Sequence, residues 1–264
     1  MDLQLQSKTA FVSGSTQGIG FAIARQLLAE GAKVIINGRS REKIDLALRK
    51  LEQEIPGADV SGIAANFEEP YEVEQLLKVL PDIDILVNNV GIFELRPFFD
   101  TKDSDWTKFF EVNVMSGVRL SRALLPKMLE RNWGRVIFIS SESGINVPEH
   151  MIHYGMTKTA MLSIGRGLSQ LTRNTGVTVN TVIGGPTYSE GVAGAVEQIA
   201  LAQQSNVEEV KAGLIKALNP TSLLQRFIQP EEIAHLAVYL SSPLSLATNG
   251  AALRADGGVL NTIL

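Results

Sequence analysis

Gly14-Ser15-Thr16-Gln17-Gly18-Ile19-Gly20 stands between a short apolar run, Thr9 to Ser13, and a helix-periodic stretch, Ile19 to Glu30. In that strand-to-helix setting a glycine-rich turn has a definite physical use. Small residues let the backbone turn sharply and let a pyrophosphate approach the N–H groups at the head of the helix, where the helix dipole is positive. Glycines alone would make an ordinary tight turn, and it is their position after the first strand that marks the start of a dinucleotide-binding βα unit.

Outward from this turn, short β-branched runs keep alternating with longer helix-periodic stretches, the pattern of parallel strands joined by crossover helices. The strand candidates are Thr9 to Ser13, Lys33 to Asn37, Val60 to Ala64, Ile83 to Asn88, Arg135 to Ser140, Val177 to Ile183 and Ala251 to Arg254. Most are apolar throughout, as strands covered on both faces should be. Helices are expected over Ile19 to Glu30, Arg41 to Glu54, Tyr71 to Leu80, Trp106 to Arg131, His153 to Arg173 and Glu231 to Leu240. Gly31 reads as the C-terminal stop of the first, and Gly176 follows the fifth. The expected fold is α/β, a single-domain Rossmann-like doubly wound parallel sheet of about seven strands with helices on both faces, spanning 1–264. The stretch from Tyr188 to Gln229 breaks the alternation, with helix-like pieces near Ala193 to Gln204 and Val207 to Leu218. Connections of that length seldom persist for packing alone, so a substrate lid is expected over about 188–229.

Composition removes several classes of function. There is no cysteine, which excludes disulfides, thiolate catalysis and thiolate metal sites. The three histidines, His150, His153 and His235, are too few and too badly spaced for a metal cluster, so no metal is expected. His235 lies in an amphipathic helix and reads as structural. A formal charge of −4 gives no footprint for nucleic acid or an anionic membrane. The first residues lack a basic segment followed by an apolar core, and no run of about 18 apolar residues occurs. A cytoplasmic protein with a small-molecule substrate is therefore expected.

Cofactor choice should be made at the end of the second strand, where a carboxylate would hold the adenosine ribose hydroxyls of NAD. Here the chain reads Ile36-Asn37-Gly38-Arg39-Ser40, with no acid, and Arg39 could face a 2′-phosphate with a planar, permanently charged fork. NADP(H) is favoured over NAD(H).

The glycine spacing of the first loop, three residues then one, differs from G-x-G-x-x-G, and further motifs follow it in order. They are Asn88-Asn89-Val90-Gly91, Asn113, Ser141, Tyr154-Gly155-Met156-Thr157-Lys158 and Asp256-Gly257-Gly258. Together these resemble the short-chain dehydrogenase/reductase family, and its 3-oxoacyl-carrier-protein-reductase-like members in particular, over nearly the whole chain. The resemblance implies hydride transfer between a nicotinamide and a carbonyl or alcohol. It also implies cofactor contacts from Gly14, Ser15, Thr16, Gln17, Gly18, Ile19, Gly20, Asn89 and Gly91. Asn66 sits where the family usually has an aspartate near the adenine, and an amide keeps an acceptor oxygen there. Gly184-Gly185-Pro186-Thr187 resembles the family segment that binds the carboxamide, which implicates Ile183 and Thr187. A homotetramer or homodimer is implied too, with the helices of 106–131 and 153–173 at the interface.

Tyr154 and Lys158 are four apart, so on a helix both project from one face. Such a pair is unremarkable by itself, but Ser141, thirteen residues before the tyrosine at the end of a predicted strand, and Asn113 give it company. A free tyrosine is poorly poised as a base near neutral pH, and an adjacent ammonium would stabilise its phenolate. Tyr154 is thus expected to be the general acid/base, with Lys158 lowering its pKa. By resemblance Lys158 also holds the nicotinamide ribose, Ser141 holds the substrate oxygen, and Asn113 anchors a water for proton relay.

Ser140 is the neighbouring alternative to Ser141, but strand alternation points the two hydroxyls to opposite faces. No G-x-S-x-G elbow surrounds them, so serine hydrolysis is not expected. The Tyr-to-Lys interval is shorter than in the family's enoyl reductases, which favours carbonyl chemistry over reduction of a carbon–carbon double bond. A non-catalytic cofactor-binding sensor would have little reason to keep the four residues together, and a nucleotide-sugar epimerase or dehydratase normally has a larger substrate domain. Glu142, Ser143, Ile145, Val147, His150, His153 and Tyr188 flank the site in sequence and do not choose a substrate. His153 adjoins Tyr154, yet adjacent helix positions face different ways, so no direct catalytic role is expected.

Overall fold

Seven apolar runs become strands: β1 (Thr9–Val12), β2 (Lys33–Gly38), β3 (Val60–Ala64), β4 (Ile85–Asn88), β5 (Gly134–Ser141), β6 (Val177–Gly184) and β7 (Ala252–Ala255). A computed structural model describes residues 2–263 of the chain; Met1 and Leu264, the ends of the expected unit, lie outside them. The strands form one parallel sheet ordered β3-β2-β1-β4-β5-β6-β7. Every residue of β5 and β6 is buried; β5 is apolar from Val136 to Ile139, whereas in β6 Thr178 and Asn180 alternate with valines and Asn180 Nδ2 donates to the Thr248 carbonyl at 2.7 Å.

Successive side chains leave a strand on opposite faces, so each strand feeds two cores. Val12, Ile36 and Ile137 pack with α1 (Gly18–Ala29), α2 (Arg41–Glu54) and, near the C-terminus, the helix Pro230–Ser241. Phe11, Ile35 and Phe138 pack on the other face, with α3 (Pro70–Val79) and the helices Ser116–Glu130 and Ile152–Ser169. This is the doubly wound architecture the alternation predicts.

One expected helix is not continuous. In place of Trp106 to Arg131 the chain forms α4 (Asp103–Phe110), a π-helical turn at Glu111–Met115, and α5 (Ser116–Glu130). The wider turn holds Asn113, 1% exposed, against the loop after β4. Its Oδ1 accepts from the Ile92 N–H at 2.8 Å and its Nδ2 donates to the Ile92 carbonyl at 2.9 Å. These two half-buried hydrogen bonds offset the weaker geometry of a π turn, a feature common at functional sites. The fifth expected helix is α6 (Ile152–Ser169), ending four residues before Arg173 in a short 3-10 turn, Gln170–Thr172.

The long insertion forms an antiparallel pair, α7 (Glu190–Gln203) and α8 (Val207–Leu218), before α9 (Pro230–Ser241). The pair has a small core of its own, Val196, Ala200 and Val210, with Tyr188, Val192 and Leu214 packed against it. Among the described residues no helix is long and apolar enough to cross a membrane.

Candidate active site

The strand order reverses between β1 and β4, and at such a switch point the loops leaving the two strands diverge and open a crevice. Here the crevice is a cavity of about 630 Å³. Gly14 (φ +61°) and Gly18 (φ +60°) take backbone conformations that L side chains rarely adopt. At Gly20 the reason is space: a Cβ there would lie 2.4 Å from Asn89 Nδ2 and 2.6 Å from the Gly14 carbonyl oxygen. Asn89 Nδ2 donates to the Ser13 and Gly14 carbonyls at 3.0 and 2.9 Å, tying the end of β4 to the loop. Gly14, Thr16, Gln17, Gly18, Ile19, Gly20, Asn89 and Gly91 all line the cavity.

Ser15 does not. It is fully buried, its hydroxyl donates to the Val12 carbonyl at 2.6 Å and accepts from the Asn37 N–H at 3.0 Å. Its side chain holds β1 and β2 together rather than facing a ligand. Ile183 is likewise 1% exposed within β6 and off the cavity wall. Membership of a motif does not say which way a side chain points, and strand alternation turns this one into the core.

The N–H of Gly18 donates to Glu190 Oε2 at 2.8 Å, so the head of α1 already takes an anionic oxygen. Ile19 and Gly20 follow in the first turn, where N–H groups have no carbonyl one turn back. Just after β2, Arg39 and, in the first turn of α2, Lys43 line the cavity with no ion-pair partner among the described residues. Gly38 lies under Thr16: a Cβ at 38 would come within 2.5 Å of Thr16 Cγ2, so a larger residue there would have to turn the Thr16 side chain aside. Asn66 lines the same end, its Oδ1 accepting from the Glu68 N–H at 3.2 Å. The glycine cradle, the anion-accepting helix head and the two uncommitted cations fit a dinucleotide carrying several phosphates.

At the far end of the cavity β5 delivers Ser141 and α6 delivers Tyr154 and Lys158. Alternation separates the two serines as expected: Ser140 Oγ donates to the Lys158 carbonyl at 2.9 Å and serves as a brace. Ser141 Oγ donates to Glu142 Oε2 and accepts from the Ser143 N–H at 3.1 Å. The Tyr154 ring meets Phe93 edge-on, centroids 6.4 Å apart. Lys158 Nζ lies 5.5 Å from the Tyr154 ring and donates to the Ile139 carbonyl at 3.0 Å. Gly91 lies beside them, where a Cβ would make only an ordinary contact, 3.5 Å from Lys158 Nζ. Asn113 stands behind them, off the cavity wall, its Nδ2 donating to Thr157 Oγ1 at 3.0 Å as well as to Ile92. Its amide braces the second turn of α6 against the loop after β4.

Burial and the nearby Glu142 carboxylate push the Tyr154 phenol above its ordinary value, and a hydrogen bond with Ser141 works the other way. Burial brings the Lys158 ammonium down to about 8, with Glu142 opposing. The expected lowering of the tyrosine by Lys158 is therefore not present in the protein alone. With Lys158 held by a backbone carbonyl, desolvation outweighs it.

Five of the residues that flank the site in sequence lie off the cavity wall: Ile145, Val147, His150, His153 and Tyr188. Ile145, Val147 and His150 are exposed on the turn before α6, and Tyr188 packs on Phe227. His153 is 1% exposed behind the site, its ring centroid 4.2 Å from that of Phe109, with Nε2 unpartnered. Met151, Ile92, Phe93, Leu95, Phe227 and the α7–α8 side chains Val192, Val196 and Leu214 form the wall instead. The sequence does not single out Lys43, Glu142 and Ser189 on the cavity wall, nor Glu190 beside it on the Gly18 N–H, as ligand contacts. For Lys43 alone a sequence signal exists, a cation that follows Arg39 and Arg41 in the first turn of the next helix.

Burial holds the His153 imidazole below its usual range, and Arg96 adds to the effect against Glu94 and Asp105. A folded-state value below the unfolded one means a stabilising contribution that is complete above about pH 6.5 and is lost as the pH falls below it. Thermal midpoints of wild type and His153→Phe, compared from pH 7.5 to 5, should converge as the pH drops. A constant difference would contradict the buried neutral imidazole.

The pattern that defines the short chain dehydrogenases matches residues 8–200. An uncharacterized oxidoreductase of Bacillus subtilis, YvaG, is 49% identical over 263 residues, covering 100% of both chains. The D-beta-hydroxybutyrate dehydrogenase of Cupriavidus necator is 32% identical over 258 residues, covering 96% of this chain and 98% of its own. Among solved structures, the L-sorbose reductase of Gluconobacter frateurii in complex with NADPH and L-sorbose superimposes with a TM-score of 0.93 at 27% identity, over 100% of both chains.

Proposed function

The chain belongs to the short-chain dehydrogenase/reductase family and is an oxidoreductase that exchanges a hydride between a nicotinamide dinucleotide and a carbonyl or alcohol; from that premise we propose that Tyr154 is its general acid/base and NADP(H) its preferred cofactor. The observation that carries the reading is the convergence of Ser141, Tyr154 and Lys158 on one wall of a cavity whose other end is the glycine cradle. Gly14, Gly18, Ile19, Gly20 and Asn89 would hold the pyrophosphate, Asn66 the adenine end, and Lys158 and Thr187 the nicotinamide end. Bound there, the dinucleotide supplies or accepts the hydride.

The protein's own share is the proton. A neutral phenol suits a donor to a carbonyl oxygen that is becoming an alkoxide, and burial keeps Tyr154 neutral. In the oxidative direction the phenol has to lose its proton, and the Lys158 ammonium on the same helix face is the group that favours its anion. Ser141 fixes the substrate oxygen beside the phenol. Asn113 holds the start of α6, and with it Tyr154, against the loop after β4. The pair α7–α8 acts as the substrate lid, supported by the apolar side chains it lends to the cavity. The functional test is NADPH oxidation at 340 nm with a panel of ketones and aldehydes, wild type against Tyr154→Phe. Turnover unaffected by the substitution would remove Tyr154 from the mechanism.

Arg39 and Lys43 carry the cofactor preference. Each would form a charge-assisted contact with a 2′-phosphate, worth about tenfold in affinity or more. Fluorescence titrations of Arg39→Ala and of the Arg39→Ala/Lys43→Ala pair should show NADPH binding weakened about tenfold and further, with NADH binding unchanged. Equal losses for both cofactors would contradict the phosphate role.

We also infer a cytoplasmic protein, supported by the absence of cysteine. An assembly of two or four copies is supported by an apolar groove between α5 and α6, lined by Val118, Leu125, Leu129, Ile164 and Leu168.

A further inference from the structure

Glu142 is a carboxylate that the proton-transfer account leaves idle. It follows Ser141, the residue that holds the reacting oxygen, and it lines the cavity. Its Oε2 accepts from Ser141 Oγ and its Oε1 from Ser143 Oγ at 3.2 Å. A carboxylate offers about four lone-pair directions, so acceptor capacity remains on both oxygens after the two serines are counted. Among the described residues it has no ion-pair partner, although it acts electrostatically on both Tyr154 and Lys158. The rest of the wall near it is apolar: Ile92, Phe93, Leu95 and Met151.

We propose that Glu142 is the specificity-determining residue of the substrate site, and that its carboxylate accepts a hydrogen bond from a hydroxyl on the carbon next to the reacting carbon. The substrates are then α-hydroxy ketones and, in the reverse direction, vicinal diols. This rests on the carbonyl-reductase reading above and deepens it. Ser141 has a single hydroxyl proton, which it now gives to Glu142 Oε2. When that proton turns to the substrate's reacting oxygen, the adjacent carboxylate oxygen loses its donor, and a hydroxyl on the neighbouring carbon of the substrate replaces it. A neutral donor is required by the charge balance. Lys158 already supplies the positive charge of the site, so a substrate ammonium would add like charge beside it, and a substrate carboxylate at this position would face Glu142 directly. A hydroxyl satisfies the acceptor without changing the net charge. Simple ketones leave the acceptor with only an apolar neighbour, which a site built for a donor rejects.

Hydroxyacetone and methoxyacetone isolate the effect, since both carry an oxygen next to the carbonyl and only the first has a hydrogen to donate. With the full chain and NADPH, wild type should show kcat/KM for hydroxyacetone at least tenfold above that for methoxyacetone. In Glu142→Leu the ratio should fall to near one. Glu142→Gln keeps an acceptor oxygen of lower charge and should give an intermediate ratio, which also guards against a leucine variant that does not fold. A wild-type ratio near one, or a ratio that survives in both variants, overturns the inference while leaving carbonyl reduction intact. Failure of every ketone in the panel to oxidise NADPH overturns the carbonyl reading as well.

Discussion

Tyr154→Phe is expected to lower kcat/KM for carbonyl reduction by about three orders of magnitude, the middle of the range that a positioned acid or base contributes. That corresponds to about 4 kcal/mol of transition-state stabilisation. The substitution removes one hydroxyl and leaves the ring, so the edge contact with Phe93 and the packing of α6 persist. Loss of activity without loss of fold follows, and NADPH affinity should stay within about threefold of wild type because the phosphate contacts lie at the other end of the cavity. A rate loss of less than tenfold, or an equal loss in cofactor affinity, would mean that Tyr154 only shapes the site.

The second large effect has opposite signs for activity and stability. Lys158 is 5% exposed, and burial brings its ammonium from 10.5 down to about 8. A folded-state value below the unfolded one is a penalty on the folded protein wherever the lysine is charged in both states, here below pH 8. As the pH rises from 8 towards 10.5 the folded protein sheds that proton first and the penalty disappears. The shift amounts to about 3 kcal/mol, of which about 1 is given back by the hydrogen bond to the Ile139 carbonyl. Lys158→Met should therefore be more stable than wild type by about 2 kcal/mol at pH 7, a rise in Tm of about 4–8 °C. The advantage should shrink by pH 10. Its kcat/KM at pH 7 should fall about 100-fold or more, because the phenol then has no neighbouring cation to favour its anion. Calorimetry at the two pH values, paired with the 340 nm assay, checks both halves. A destabilised variant at pH 7 would show that Lys158 is part of the fold rather than strained within it.

Much of this was legible in the chain because burial on both faces leaves a plain mark. β5 carries the apolar run Val136 to Ile139, β6 is rich in β-branched residues, and the glycine loop stands where β1 meets α1. The π turn at Glu111–Met115 left no such mark, since a local widening hardly disturbs the apolar periodicity that suggested one helix from Trp106 to Arg131. Spacing drew attention to Ser141, Tyr154 and Lys158 because their companions lie within one strand and one helix. It could not do so for Glu190, whose partner Gly18 is 172 residues away. Ser15 and Ile183 illustrate the converse, in that both sit inside recognisable motifs and both turn into the core. Glu142 was visible as a residue beside the serine, but its meaning depends on which oxygen holds which hydroxyl, and that is a property of the folded site.

The central claim is that hydride passes between nicotinamide and a carbonyl carbon in this cavity. It is tested most directly by following the atom. With NADPH deuterated at C4 of the nicotinamide and hydroxyacetone as acceptor, mass spectrometry of the product should find deuterium on the carbinol carbon for wild type and almost none in the same time for Tyr154→Phe. Oxidation of the cofactor without label on that carbon, or label transfer that Tyr154→Phe does not slow, would contradict the account.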